Sequence, residues 1–129
     1  MRLLLDTHVV MWAALEPERL GPETTALLGD MDHERLISAI SFAEIAIKRR
    51  LGKLAYSVTA ADTLRALDAQ PLAFEIAAAE ALALLPLAHA DPFDRMLAAQ
   101  ATVGGLHLVT ADRVLLSGYP NVGTIDARR

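Results

Sequence analysis

Three short, largely apolar runs, each ending at a polar residue and followed by a helical pattern, constrain this chain more than any other feature. They are Leu3 to Leu5 before Asp6, Leu36 to Ile40 before Ser41, and His107 to Thr110 before Asp112. Runs of this kind show no polar alternation, so neither face of the strand is suited to water and both must be covered. Such strands alternating with helices predict an α/β fold: a three-layer α/β/α sandwich around a short, mainly parallel central sheet. Ligands of these sheets bind beyond the carboxyl ends of the strands, which is where Asp6 and Asp112 stand.

Weaker patterns fill in the rest. Leu72 to Phe74 and Val122 to Ile125 read as two further short strands. Helices are expected over Val9 to Leu15, Glu23 to Met31, Phe42 to Leu51, Thr59 or Ala60 to Ala69, Ile76 to Leu84, and Pro92 to Val103. In the last of these, Phe93, Met96, Leu97 and Ala101 fall at amphipathic spacing. Neither a repeat nor a low-complexity tract breaks the pattern, and 129 residues suit one folding unit, residues 1–129.

Composition excludes several functions. Without cysteine there is no disulfide framework, thiolate zinc site or thiol nucleophile, and a cytoplasmic location is the default expectation. Asp6 and His8 interrupt the one stretch resembling a signal sequence, Met1 to Trp12. The longest apolar run, Ala81 to Ala88, falls far short of the roughly 20 residues a bilayer needs, so a soluble chain without a membrane partner is expected. Twelve basic against 16 acidic residues give a net charge of −4, which repels nucleic acid globally. Any polyanionic substrate must be drawn locally, by metal ions or by the basic patch Lys48, Arg49, Arg50 and Lys53. Six aromatic residues argue against binding that rests mainly on stacked bases.

Four acids stand out: Asp6, Glu44, Asp94 and Asp112. Each has a plain structural explanation beside the chemical one. Ser41-Phe42-Ala43-Glu44 matches a capping box. Asp91-Pro92-Phe93-Asp94 matches an N-cap, a first-turn proline and an acid favoured by the helix dipole. Thr59-Ala60-Ala61-Asp62 has the same form and no other hint of chemistry, so a capping match alone is weak. Asp6 is harder to explain away, because an uncompensated carboxylate between two apolar runs is costly to desolvate. Asp112 follows Leu108-Val109-Thr110 in a similar setting. Hard divalent cations prefer such oxygen ligands, and Mg2+ or Mn2+ would relieve the mutual repulsion of the acids. The four histidines lack zinc-ligand spacing; His8, close to Asp6, has no paired partner, and His33, His89 and His107 are isolated. Thr7, Ser38, Ser41 and Thr110 could support the site, with capping the simpler role for Ser41 and Thr110. Glu44 and Lys48 are spaced for an i,i+4 pair.

Taken together, Leu3-Leu4-Leu5-Asp6-Thr7, Ser38-Ala39-Ile40-Ser41-Phe42-Ala43-Glu44-Ile45, Asp91-Pro92-Phe93-Asp94-Arg95-Met96-Leu97 and Leu108-Val109-Thr110-Ala111-Asp112 resemble the PIN-domain ribonucleases. More narrowly, the chain resembles the toxin component of VapBC-type toxin-antitoxin modules, over nearly its whole length. The resemblance implies a PIN-like α/β/α domain, an endoribonuclease dependent on Mg2+ or Mn2+, an RNA substrate, a cognate antitoxin and a homodimer. It assigns Asp6 and Asp94 as main metal ligands, Glu44 and Asp112 as the acids that complete the catalytic site, and Asp91 as a fifth member better explained as a cap. Thr7, Thr110, Arg49, Arg50 and Lys53 are candidate substrate contacts. The antitoxin is expected to lay an amphipathic segment over Val9 to Met31.

Other readings remain open at this point. A phosphatase of the haloacid dehalogenase type also opens on a strand and an Asp, but needs a second Asp two positions later, where this chain has His8. A phosphorylated receiver domain needs adjacent acids after the first strand and a later pocket lysine, and His107 to Asp112 supplies none. A non-catalytic binding module, with acids that merely cap helices, would show no carboxylate-dependent metal binding.

Overall fold

The computed structural model describes residues 1–86 and 91–129; His89 lies outside the described residues. Five strands, β1 (Arg2–Leu5), β2 (Glu34–Ser38), β3 (Gln70–Leu72), β4 (His107–Thr110) and β5 (Gly123–Asp126), form one sheet in the order β3-β2-β1-β4-β5. Every pairing is parallel. The helices are α1 (Thr7–Leu15), α2 (Pro22–Gly29), α3 (Ala39–Arg50), α4 (Ala60–Ala66), α5 (Ile76–Ala81), α6 (Pro92–Gly104) and α7 (Arg113–Ser117).

The period of two along a strand explains the layers. Leu4 of β1 points to one side, where it joins Leu97, Ala98 and Ala101 of α6 and Leu115 of α7. Leu3 and Leu5 point to the other, where they meet Val9 and Val10 of α1 and, at the margin, Leu27 and Leu28 of α2 and Leu64 of α4. All three leucines are 0–1% exposed, which is why β1 has no polar position after Arg2. Among the described residues, no helix is long and apolar enough to cross a membrane.

From β1 the chain crosses to β2 and β3 on one side, and later fills β4 and β5 on the other. The crossover helices leave on opposite faces, α1 with Leu3 and Leu5, α7 with Leu4. The carboxyl ends of β1 and β4 therefore flank the point where the winding direction reverses, the ligand-binding crevice of open parallel sheets. Arg35, almost wholly buried, bolts the loops at the other end of β2. Its guanidinium donates to the carbonyls of Leu67, Leu28, Asp30 and His33 at 3.0–3.3 Å and to the Asp68 carboxylate at 3.2 Å.

Several boundaries differ from the sequence expectation. β2 runs from Glu34 to Ser38 rather than from Leu36 to Ile40, and α3 begins at Ala39 rather than Phe42. Strand β3 ends at Leu72, and the helix from Ile76 tightens into a 3-10 turn over Leu82–Leu84. α2 starts at Pro22 and ends at Gly29, two residues short of Met31, and α4 ends at Ala66 rather than Ala69. α6 ends at Gly104, where Gly105 adopts φ 61°, a left-handed conformation that suits glycine.

Candidate active site

Asp6 follows β1 directly and is the N-cap of α1, its Oδ1 accepting from the Val9 amide at 2.9 Å. The helix thus starts at Thr7, two residues before the expected Val9, and capping has to be added to the roles of Asp6. Its Oδ2 accepts from the Thr110 hydroxyl at the end of β4. The same hydroxyl accepts from the Asp112 amide at 3.0 Å, so Thr110 is oriented to point its proton at Asp6. Asp112 caps α7, accepting from the Val114 and Leu115 amides at 2.9 and 3.0 Å. Asp6 is only 4% exposed, and burial holds its carboxyl above the usual aspartate range. The bonds from Thr110 and Val9 and the neighbouring His8 oppose that shift, while Asp112 adds to it. Asp6 and Asp112 therefore feel each other's charge across the switch point.

The second group of acids gathers around Lys48. Glu44 is 3% exposed, with Oε1 accepting from the Thr7 hydroxyl at 2.6 Å and Oε2 from Lys48 Nζ at 2.5 Å. A carboxylate only accepts, so the Thr7 proton goes to Glu44; the Ser41 hydroxyl stands 3.1 Å from that of Thr7. The expected i,i+4 pair is thus present, but the capping box is not. Ser38, not Ser41, caps α3, accepting from the Ile40 amide at 3.0 Å and donating to Gln100 of α6 at 2.5 Å. Glu44 consequently sits inside the helix rather than in its first turn, and its side chain turns inward toward Thr7.

Asp91 caps α6 as expected, accepting from the Phe93 and Asp94 amides at 2.9 and 3.2 Å, with Pro92 in the first turn. Asp94 lies in that turn. Lys48 is held protonated beyond its ordinary range by the hydrogen bond it donates to Glu44, against some desolvation, with further support from the charges of Glu44, Asp91 and Asp94. One ammonium thus stands among carboxylates from α3 and α6. Because Asp6 and Thr7 are adjacent, the chain Asp112–Thr110–Asp6–Thr7–Glu44–Lys48 links the start of α7, α1 and α3, and the charges of Asp91 and Asp94 at the start of α6 act on its Lys48 end.

Among the described residues, no three acidic or histidine side chains form a ready-made metal cage. Mg2+ does not require one: it is held by one or two carboxylates and keeps several waters. Asp6 and Asp112 meet that need, since two of the roughly four lone-pair positions on Asp6 are used by neutral donors. Of the expected phosphate contacts, Arg49 and Arg50 line an open depression with Ala46 and no carboxylate, and Lys53 lies just beyond α3. A cavity of about 310 Å³ instead joins Asp6 and Asp112 to His8, Trp12, Arg19 and Arg128. Arg19 falls in the Glu16 to Pro22 segment, which reads as a plain loop in the sequence. The guanidinium lies 4.7 Å from the centre of the Trp12 ring, a pairing seven residues apart that no local pattern signals.

Fold and site together define an α/β protein with hard carboxylate oxygens at the switch point of a parallel sheet. Residues 3–118 match the PIN domain family, and the chain belongs to it. Ribonuclease VapC22 of Mycobacterium tuberculosis is 34% identical over 122 residues, covering 89% of this chain and 90% of that protein. VapBC2 from Rickettsia felis, solved bound to a DNA fragment from their promoter, superposes with a TM-score of 0.68 at 18% identity over 98% of each chain. VapBC-5 from Mycobacterium tuberculosis, a member of the VapBC family of toxin-antitoxin systems, gives 0.58 at 26% identity over 97% of this chain and 98% of that one.

Proposed function

We propose that this chain is a metal-dependent endoribonuclease, the toxin of a VapBC-type toxin-antitoxin pair, with residues 1–129 acting as one PIN unit. Asp6 carries the reading. It is a buried carboxylate whose donors, a hydroxyl and an amide, are neutral, and a second carboxylate, Asp112, faces it. Such a group calls for a cation. Asp6 and Asp112 would hold it, Asp94 at the start of α6 is the further acid that the family resemblance adds, and the all-oxygen donor set fits Mg2+ or Mn2+. When bound, the ion supplies water activation and offsets charge on the leaving oxygen of phosphodiester hydrolysis.

The protein's own groups do the positioning. Thr110 fixes the Asp6 carboxylate, and Glu44, neutralised by Lys48, holds Thr7 and with it the start of α1. Arg49, Arg50 and Lys53 are the phosphate contacts on the α3 side. The ribonuclease name of the relative at 34% identity and the toxin-antitoxin complexes among the structural neighbours support the same reading. A cognate antitoxin laid along α1 and α2 would cover Leu15 and Met31, which are 54% and 71% exposed. A homodimer completes the assembly we expect.

The test is cleavage of end-labelled structured RNAs by the purified protein and its Asp6→Asn variant, with Mg2+ or with chelator. Metal-dependent cleavage by the parent protein alone is expected. Equal cleavage by both proteins would overturn the assignment.

A further inference from the structure

We propose that the cavity shared by Asp6, His8, Trp12, Arg19, Asp112 and Arg128 is a nucleotide subsite, in which Arg19 stacks on an unpaired base of single-stranded RNA next to the acids. The proposal rests on the ribonuclease reading and deepens it, naming the residues that receive one unpaired nucleotide.

Three chemistries meet in this one cavity. Its volume of about 310 Å³ lies at the lower end of the roughly 300–1,000 Å³ typical of small-ligand sites, the scale of one nucleotide rather than a helix. Its lining includes Asp6 and Asp112. Two guanidinium groups and the rings of His8 and Trp12 line the same cavity. A polyanion approaching a chain of net charge −4 needs local cations, and many of the others are engaged elsewhere. Lys48 pairs with Glu44, Arg2 with Glu34 and Arg65 with Asp62, while Arg35 is buried against carbonyls.

Arg19 is preorganised for stacking. One face of its guanidinium rests over Trp12 at 4.7 Å, and one edge is held by Glu16 at 3.2 Å. His8 tilts against the same indole, with ring centres 6.2 Å apart. A guanidinium held in place in this way can stack on a base as an aromatic ring does, and base faces are accessible in single-stranded RNA but not in a duplex. Arg128 is brought in by the backbone. The Gly21 and Thr24 amides donate to the carbonyls of Ala127 and Arg129 at 2.9 and 2.8 Å, pinning the segment around Arg128 against the start of α2. The approach is so close that a Cβ on Gly21 would lie 2.1 Å from the Arg129 carbonyl carbon. Arg128, exposed at the rim, is placed as the phosphate contact beside the stacked base.

Trp12 is the only tryptophan in the chain, so intrinsic fluorescence reports on this cavity directly. The experiment titrates the full-length protein in chelator, where no cleavage occurs, with a single-stranded hexa-adenylate and with an RNA hairpin of the same length in its stem. Saturable quenching by the single strand, and weaker quenching by the hairpin, is expected. Arg19→Ala should weaken binding about tenfold, the usual loss for one stacked base. Arg128→Ala should weaken binding to all sequences and reduce the salt dependence by about one phosphate. Arg19→Lys, which keeps the charge but not the plane, should bind like Arg19→Ala, and Arg65→Ala should bind like the parent. Absence of quenching, equal affinity for the hairpin, or full affinity in Arg19→Ala with unchanged circular dichroism would overturn the subsite. If the parent protein still cleaves RNA with Mg2+ in that case, the ribonuclease reading stands and this one falls; loss of both overturns both.

Discussion

Replacing Lys48 by Met tests how the buried acid Glu44 is tolerated. Glu44 is 3% exposed and accepts from Thr7 at 2.6 Å and Lys48 at 2.5 Å. Methionine keeps most of the volume of the stem but removes the charge, leaving a carboxylate out of water with one neutral donor. Breaking a fully buried pair costs about 3–5 kcal/mol. The Lys48 side chain is 32% exposed, however, so water reaches the site and screening reduces the expected loss to about 2 kcal/mol. For a chain of this size that corresponds to a fall in Tm of about 6–8 °C. Adding Glu44→Gln to Lys48→Met should recover at least about 1 kcal/mol, because a neutral amide still accepts from Thr7 and carries no uncompensated charge. The pH dependence follows from the same pair. Lys48 titrates above its ordinary value of 10.5 in the folded chain, so its stabilisation is complete below that value and disappears as the pH rises through the raised one. Urea denaturation of the four proteins of the cycle, between pH 7 and 11, measures both effects. The reasoning is refuted if Lys48→Met loses less than about 0.5 kcal/mol, or if the double variant is no more stable than Lys48→Met.

Three further outcomes are expected. Metal-free Asp6→Asn should be more stable than the parent at neutral pH by about 1 kcal/mol, since burial disfavours the charged carboxylate. Because the folded Asp6 carboxyl lies above 3.8, its stabilisation is present below that value and is lost as the pH rises through the folded one; calorimetry should find this slope in the parent and not in Asp6→Asn. Thr110→Val removes both a donor to Asp6 and the acceptor for the Asp112 amide, and should cost about 1–3 kcal/mol in chemical denaturation while weakening Mn2+ binding. Arg35→Leu removes the donor to several part-buried carbonyls away from Asp6 and Asp112, and should cost about 1–3 kcal/mol without changing Mn2+ affinity per folded molecule.

Asp6 and Asp112 are legible in the sequence because burial on both faces leaves an apolar strand no way to end except at a polar residue. The start of α3 was harder to read. Ser38-Ala39-Ile40-Ser41 offers two hydroxyls three residues apart, either able to cap, and the choice is made by Gln100, 62 residues away, which binds Ser38. That long-range bond moves Glu44 from a capping position into the interior, a change no local pattern signals. α7, with five residues, is too short to show a period, so helix-start chemistry at Asp112 is its one sign in the sequence. Arg19 was missed for a related reason: its partner Trp12 sits on α1, and the two meet only because the 3-10 turn over Pro17–Arg19 folds the chain back.

Mn2+ binding followed by electron paramagnetic resonance tests the central claim most directly, that the carboxylates at the ends of β1 and β4 form a divalent-cation site. The parent protein should take up the ion, and both Asp6→Asn and Asp112→Asn should bind it at least about tenfold more weakly while keeping the parent's circular dichroism. Undiminished Mn2+ affinity in folded Asp6→Asn would contradict the account.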